Sequence, residues 1–158
     1  FDEQRMCRLY EKFLLEYYRK EHPELSANAS QIAWQLDDSE NQLLPKMQTD
    51  IMLSQGNNIL IIDAKYYSHM TQRQYGTNTL HSNNLYQIFT YVKNKEFELK
   101  NCEHTVSGML LYAQTDEDII PNNTYQMSGN QISVRTLNLN QDFSRIAESL
   151  DDIVKNYF

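Results

Sequence analysis

Met6, Leu9, Tyr10, Phe13, Leu14 and Tyr17 recur three and four positions apart, the spacing of one helical face. The pattern predicts an amphipathic helix over residues 2–21. His22-Pro23 ends it, because the residue before a proline is pushed out of helical geometry. Residues 24–30 read as a polar connection, and Gln31–Leu36 as a strand in which Ile32, Trp34 and Leu36 alternate. After the acidic loop Asp37–Gln42 come two apolar runs, Lys46–Ser54 and Ile59–Tyr67, separated by Gln55-Gly56-Asn57-Asn58. Glycine at the first central position suits a type II′ hairpin turn. Gln55 then pairs with Asn58, Leu53 with Leu60, Ile51 with Ile62, and Asp50 with Asp63. Both faces of the hairpin are apolar, so it belongs inside a sheet rather than at a wet edge.

The polar stretch 68–83 predicts a mobile loop. Leu85, Ile88, Phe89 and Val92 then mark a second amphipathic helix over Asn84–Phe97. Val106–Ala113 and Ile132–Leu139 read as strands. Asn122-Asn123 and Ser128-Gly129-Asn130 read as turns, with Thr124–Met127 forming a hairpin with the last strand. Phe143, Ile146, Ala147, Leu150, Ile153, Val154 and Tyr157 define a closing helix. The order helix, three strands, helix, strands, helix predicts one α/β domain over residues 1–158, built on a mixed central sheet flanked by helices.

Composition narrows the class. No apolar run approaches the ~20 residues of a membrane span, and no signal peptide is visible. Cys7 and Cys102 are too few for a disulfide framework and lack metal-site spacing, which points to thiols in a reducing, cytoplasmic compartment. The chain opens on Phe1 and is periodic from Arg5, as expected of the C-terminal part of a longer protein. A net charge of −7 argues against an autonomous DNA-binding module. It does not exclude an enzyme acting on nucleic acid, because metal ions and partner subunits can supply positive charge.

The hairpin carries the chemistry. Side chains alternate along a strand, so Asp63 and Lys65 share a face, and the register brings Asp50 opposite Asp63. Like charges directly opposed destabilise a sheet, and a divalent cation would offset that cost. Oxygen ligands at this spacing suit Mg²⁺ or Mn²⁺, and the carbonyl of Ala64 could complete the shell. Gln87 and Tyr91, four apart on the second helix, share a face that could reach this site. Glu11 on the first helix is a further acid within reach. Each feature also has an ordinary reading. Asp-x-Lys triplets are common on surfaces, Gln87 and Tyr91 could be a packed helix flank, and Glu11 a solvated face. His69, His81 and His104 lack zinc spacing and read as loop or surface residues; Tyr17, Tyr18, Tyr66 and Tyr67 read as packing.

Taken together, Asp50, Asp63-Ala64-Lys65 and Gln87-x-x-x-Tyr91 resemble the PD-(D/E)xK nuclease superfamily and its helix–three strands–helix–strand core, a restriction-endonuclease-like fold. The nearer resemblance is to the C-terminal nuclease domain of the McrC cleavage subunits of McrBC-type modification-dependent restriction systems. It rests on Leu9-Tyr10-Glu11-Lys12-Phe13, Thr49-Asp50-Ile51, Leu60–Tyr66 and Asn84–Tyr91, with Val134–Leu150 similar to the closing strand and helix. Thr49 stands where a proline usually precedes the first aspartate.

The resemblance implies Asp50 and Asp63 as metal ligands, Lys65 as catalytic lysine, and Gln87 and Tyr91 as supporting residues; Glu11 transfers less directly. It implies hydrolysis of DNA phosphodiester bonds with Mg²⁺ (or Mn²⁺), directed to modified cytosine, beside an McrB-like AAA+ GTPase motor subunit. This chain has no G-x-x-x-x-G-K-[ST] phosphate loop, so no nucleotide is expected on this domain. Cutting both DNA strands implies a second copy of the domain. A standalone nuclease of the same superfamily, or a catalytically silent assembly module, remains open from the sequence.

Overall fold

Strand Asn58–Lys65 is the axis on which the rest is arranged. In the computed structural model, which describes residues 2–67, 71–74, 77–114 and 120–158, the elements follow in this order. They are α1 (Glu3–Glu21), β1 (Ser26–Asn28), β2 (Gln31–Ile32), β3 (Met47–Gln48), β4 (Ile51–Gln55), β5 (Asn58–Lys65), β6 (Thr71–Gln74), β7 (Thr77–Leu80), α2 (Ser82–Glu98), β8 (Thr105–Ala113), β9 (Asn123–Met127), β10 (Asn130–Leu137) and α3 (Phe143–Tyr157). Six strands form one mixed sheet in the order β1-β4-β5-β8-β10-β9. β5, β8 and β10 run parallel, while β1, β4 and β9 pair antiparallel with their neighbours. Parallel neighbours need a crossover, and between β5 and β8 that crossover carries α2.

The alternation of β5 sorts its side chains into two cores. Leu60, Ile62 and Ala64 join Tyr10, Leu14 and Tyr18 of α1 and Leu150 of α3 on one face. Ile59 and Ile61 join Ile88, Tyr91 and Val92 of α2 on the other. Asp63 and Lys65 have the second parity and so stand on the α2 side. Gly108 of β8 lets α2 approach closely, because a Cβ there would lie 2.8 Å from both Ile88 Cγ1 and Val92 Cγ2. On the other face, Tyr18 Oη donates to the Leu150 carbonyl at 2.9 Å and ties α1 to α3. Asp2 caps α1 by accepting from the Gln4 and Arg5 amides at 3.1 and 3.3 Å.

The hairpin register is the expected one: Gln55 pairs with Asn58, Leu53 with Leu60 and Ile51 with Ile62. Gly56 takes φ +60° while Asn57 stays out of the left-handed region, as a type II′ turn requires. Ser128 and Gly129 both take positive φ between β9 and β10, so that predicted turn is also present.

Three expectations change. The polar connection 24–30 contains β1, which pairs with β4 through Ser26–Ser54, Ala27–Leu53 and Asn28–Met52. Ser26-Ala27-Asn28 is short and offers a single small apolar residue, too little alternation for a sequence pattern to detect. The strand over Gln31–Leu36 shrinks to Gln31–Ile32, paired with Met47–Gln48. Beyond it, the Gln35 amide donates to Asn94 Oδ1 at 3.0 Å and Trp34 Nε1 to the Pro45 carbonyl at 2.6 Å, so side-chain and loop partners replace a strand ladder. Finally, the loop expected over 68–83 contains the pair β6–β7, and α2 begins at Ser82. Thr71, Thr77 and Thr79 are β-branched and suit strands. His69 and the turn between β6 and β7 lie outside the described residues.

Candidate active site

The apolar run 46–54 is broken at Thr49-Asp50, and that break aims the first aspartate. Thr49 is buried, and both its amide and its hydroxyl donate to the Ser30 carbonyl, at 3.1 and 2.6 Å. Thr49 thus anchors this turn with a hydrogen bond that a proline could not make. Asp50 follows, half-buried, one residue before β4. Its Oδ2 accepts from the Ala64 amide at 2.9 Å, across the hairpin.

Asp63 is 4% exposed. Its Oδ2 lies 3.2 Å from Lys65 Nζ, yet among the described residues that oxygen accepts no hydrogen bond of good geometry. Lys65 Nζ donates to Gln87 Oε1 at 3.3 Å. Gln87 Nε2 donates in turn to Tyr91 Oη at 2.9 Å, and Tyr91 Oη to the Gln48 carbonyl at 3.2 Å. A single relay therefore runs from the lysine through α2 to the backbone just ahead of Asp50. Asp50, Asp63, Lys65, Gln87 and Tyr91 are brought together as the sequence predicts.

The electrostatics follow from this crowding. Burial raises the Asp63 carboxyl well above the ordinary carboxylate range; the Lys65 ammonium opposes the shift and the neighbouring Asp50 carboxyl adds to it. Burial pulls the Lys65 ammonium down, but the Asp63 carboxylate outweighs it and leaves the net shift upward. Burial also raises the Tyr91 phenol, against the hydrogen bond from Gln87.

Glu11 joins the arrangement at one remove. With Arg8, Lys12 and Leu15 of α1 it forms one wall of a cleft of about 310 Å³, facing Ala29, Gln48, Thr49 and Asp50. Burial, with a smaller contribution from Asp50, raises its carboxyl to about 6. Among the described residues, no three His, Cys, Asp or Glu side chains converge tightly enough to hold a metal ion by themselves.

A second layer was not read from the sequence. Buried Asn84 donates from Nδ2 to Tyr112 Oη at 3.1 Å and accepts from Tyr67 Oη at 3.2 Å. Tyr112 pairs with Lys65 across β5 and β8, so this network backs the lysine strand. The available signal was the position of Asn84, four residues before Ile88 on the buried face of α2. His81 packs its ring 5.1 Å from that of Tyr67, and His104 Nδ1 donates to the Cys102 carbonyl at 2.7 Å, in keeping with their reading as loop or surface residues.

A six-stranded mixed sheet flanked by helices, with a carboxylate–lysine cluster at the end of its central hairpin, defines an α/β domain of restriction-endonuclease-like architecture. The profile of the McrBC family, described as a 5-methylcytosine restriction system component, matches residues 4–113. The type IV methyl-directed restriction enzyme EcoKMcrBC of Escherichia coli strain K12 is 36% identical over 159 residues, which is 99% of this chain and 44% of that relative. The chain belongs to the McrBC family. It spans less than half the length of the relative it matches. No helix among the described residues is long and apolar enough to cross a membrane.

Proposed function

We propose that this chain is a Mg²⁺-dependent DNA endonuclease domain of the PD-(D/E)xK kind, which hydrolyses phosphodiester bonds as the cleaving part of a restriction complex directed to modified cytosine. The observation that carries this reading is Asp63. A buried carboxylate is held beside a second one, with an oxygen that accepts no hydrogen bond among the described residues and a lysine 3.2 Å away. Such an arrangement costs stability on its own. It suits a hard divalent cation, and two carboxylates with solvent and a main-chain carbonyl are a donor set Mg²⁺ accepts. Asp50 and Asp63 would hold the ion, with the Ala64 carbonyl completing the set and Glu11 reaching it from the cleft; Mn²⁺ would substitute. When bound, the cation neutralises charge on the phosphoryl group and offsets the paired carboxylates.

The protein's own groups do the rest. Lys65 presents its ammonium at the mouth of the site, where it can donate to a phosphoryl oxygen or orient the attacking water. Gln87 and Tyr91 hold that ammonium in place through their relay to the Gln48 carbonyl. These residues carry no phosphate loop, so nucleotide use is assigned to an McrB-like AAA+ GTPase subunit. Cleavage of both strands needs two such domains on one DNA. The name of the E. coli relative, a methyl-directed restriction enzyme, supports the assignment of modified DNA as substrate.

The test uses the full chain with its motor subunit on cytosine-methylated plasmid DNA, in Mg²⁺ and GTP. Lys65→Ala should lower cleavage by about 10²–10³-fold, the usual cost of losing a charged transition-state donor, with Mn²⁺ binding by calorimetry retained. Asp50→Ala should lose that binding. Wild-type turnover by Lys65→Ala, or unchanged Mn²⁺ affinity in Asp50→Ala, would sink the assignment.

A further inference from the structure

We propose that Arg8 and Lys12 form a phosphate-binding ridge on α1 that seats the DNA backbone beside the scissile bond. The proposal rests on the nuclease reading for the position of that bond. Arg8 and Lys12 stand four residues apart, one turn above the other on the same helix face. Both are exposed, and both line the cleft whose opposite wall ends in Asp50. Among the described residues neither side chain makes a hydrogen bond or a close ion pair, though Arg8 acts on the Glu11 carboxyl through space. Among the described residues Lys20, Lys46, Arg145 and Lys155 are also without an ion pair, but none of them lines the cleft with Asp50. Other cations are committed to carboxylates. Arg19 is paired with Glu16, Lys93 with Glu96, Lys95 with Glu98 and Lys65 with Asp63. Arg5 lies one turn before Arg8 and is also exposed, so the positive face extends along the helix.

A net charge of −7 makes that placement informative. Two cations without an ion pair line the cleft that also holds Glu11 and Asp50, where a polyanion must arrive if it is to reach Asp50. Phosphate neutralisation by Arg and Lys supplies most sequence-independent affinity for DNA. The alternative is that Arg8 and Lys12 only balance the charge of Glu11 and Asp50. That role would change metal affinity, but it would not change how DNA binding responds to salt.

The experiment measures duplex DNA binding by fluorescence anisotropy from 50 to 200 mM KCl, using the full chain carrying Asp63→Asn to prevent cleavage. Adding Arg8→Gln and Lys12→Gln together should flatten the slope of log affinity against log salt by about two units and weaken binding about tenfold at 0.1 M. Arg8→Lys should keep the slope. Lys155→Gln, on α3, should bind as the parent does. Both substituted positions are exposed on a helix, and glutamine is nearly as good a helix former as arginine or lysine, so folding is preserved.

Equal slope and affinity in the double variant would overturn the ridge. Cleavage with the native Asp63 separates the two ideas. If the parent cuts DNA while the double variant matches its KM, affinity and salt slope, the ridge alone fails. If DNA binding depends on Arg8 and Lys12 but no cleavage occurs in Mg²⁺ or Mn²⁺, the nuclease reading fails and the binding surface stands.

Discussion

Replacing Asp63 by asparagine should make the metal-free protein more stable while abolishing its activity. The substitution keeps the volume and removes one buried charge. At 3.2 Å and an effective dielectric of 20, the Asp63–Lys65 attraction is roughly 5 kcal/mol. Against it stand a desolvation cost of several kcal/mol for each ion and repulsion from Asp50. The attraction and the costs are of the same size. The fate of Lys65 then decides the sign. Its side chain is 17% exposed and already donates to Gln87, so it is not stranded when Asp63 loses its charge.

We expect a gain of about 1 kcal/mol, or about 2–4 °C in Tm for a domain of this size, measured by calorimetry in EDTA at pH 8. The sign of the pH dependence is a second check. Asp63 has a raised folded pKa, so the folded state holds its proton more tightly than the unfolded state does. Native stability should therefore fall as pH rises from about 4 through that raised pKa, and Asp63→Asn should lack this component. Added Mg²⁺ should raise the Tm of the native protein and leave the variant unmoved. A loss of 3–5 kcal/mol in EDTA is what breaking a buried pair costs when the remaining ion is left unpaired. That result would refute the reasoning, because it would mean that Asp63 is in place to hold Lys65 rather than a cation.

Tyr91→Phe removes the acceptor for Gln87 and the donor to the Gln48 carbonyl, so cleavage should drop about tenfold with a stability loss of about 1 kcal/mol; an unchanged kcat would take the relay out of Lys65 positioning. Gly108→Ala forces a methyl against Ile88 and Val92 and should cost about 1–3 kcal/mol, read as a lower Tm with no change in metal affinity. His22 bridges Glu24 at 3.0 Å and Asp151 at 2.7 Å at the end of α1, and although burial lowers its pKa, the two carboxylates raise it overall. Its contribution, about 1 kcal/mol once solvent screening is allowed for, is complete below its unfolded pKa of about 6.5 and is lost as pH rises through the higher folded value. His22→Gln should therefore lower Tm at pH 6 and leave it unchanged by pH 9; an equal deficit at both pH values would show that the bridge carries no charge.

What the sequence determined is local. Hydrophobic spacing defined three helices and the central strands, since each helix must bury one face and each inner strand both. Gly56-Asn57 set the hairpin register, because only that turn lets Gln55 meet Asn58. Once the register is set, period-two alternation puts Asp63 and Lys65 on one face and brings Asp50 alongside, so the heart of the site was legible in the sequence.

The tertiary structure decided whatever depends on partners distant in the chain. β1 exists because β4 offers an edge, and its own residues carry no pattern. Thr49 is anchored by Ser30, nineteen residues away, and Trp34 turns from a strand toward Pro45. Asn84 became a support for Lys65 only because β8 places Tyr112 beside β5. Burial of Asp63, and with it the raised carboxyl and the oxygen without a hydrogen bond, depends on α2 closing over that end of the sheet. Glu11, Arg8 and Lys12 are ordinary polar positions on α1 in the sequence. They gain meaning only when α1 packs across the hairpin and sets them opposite Asp50, because a single helix period cannot specify what faces its polar side.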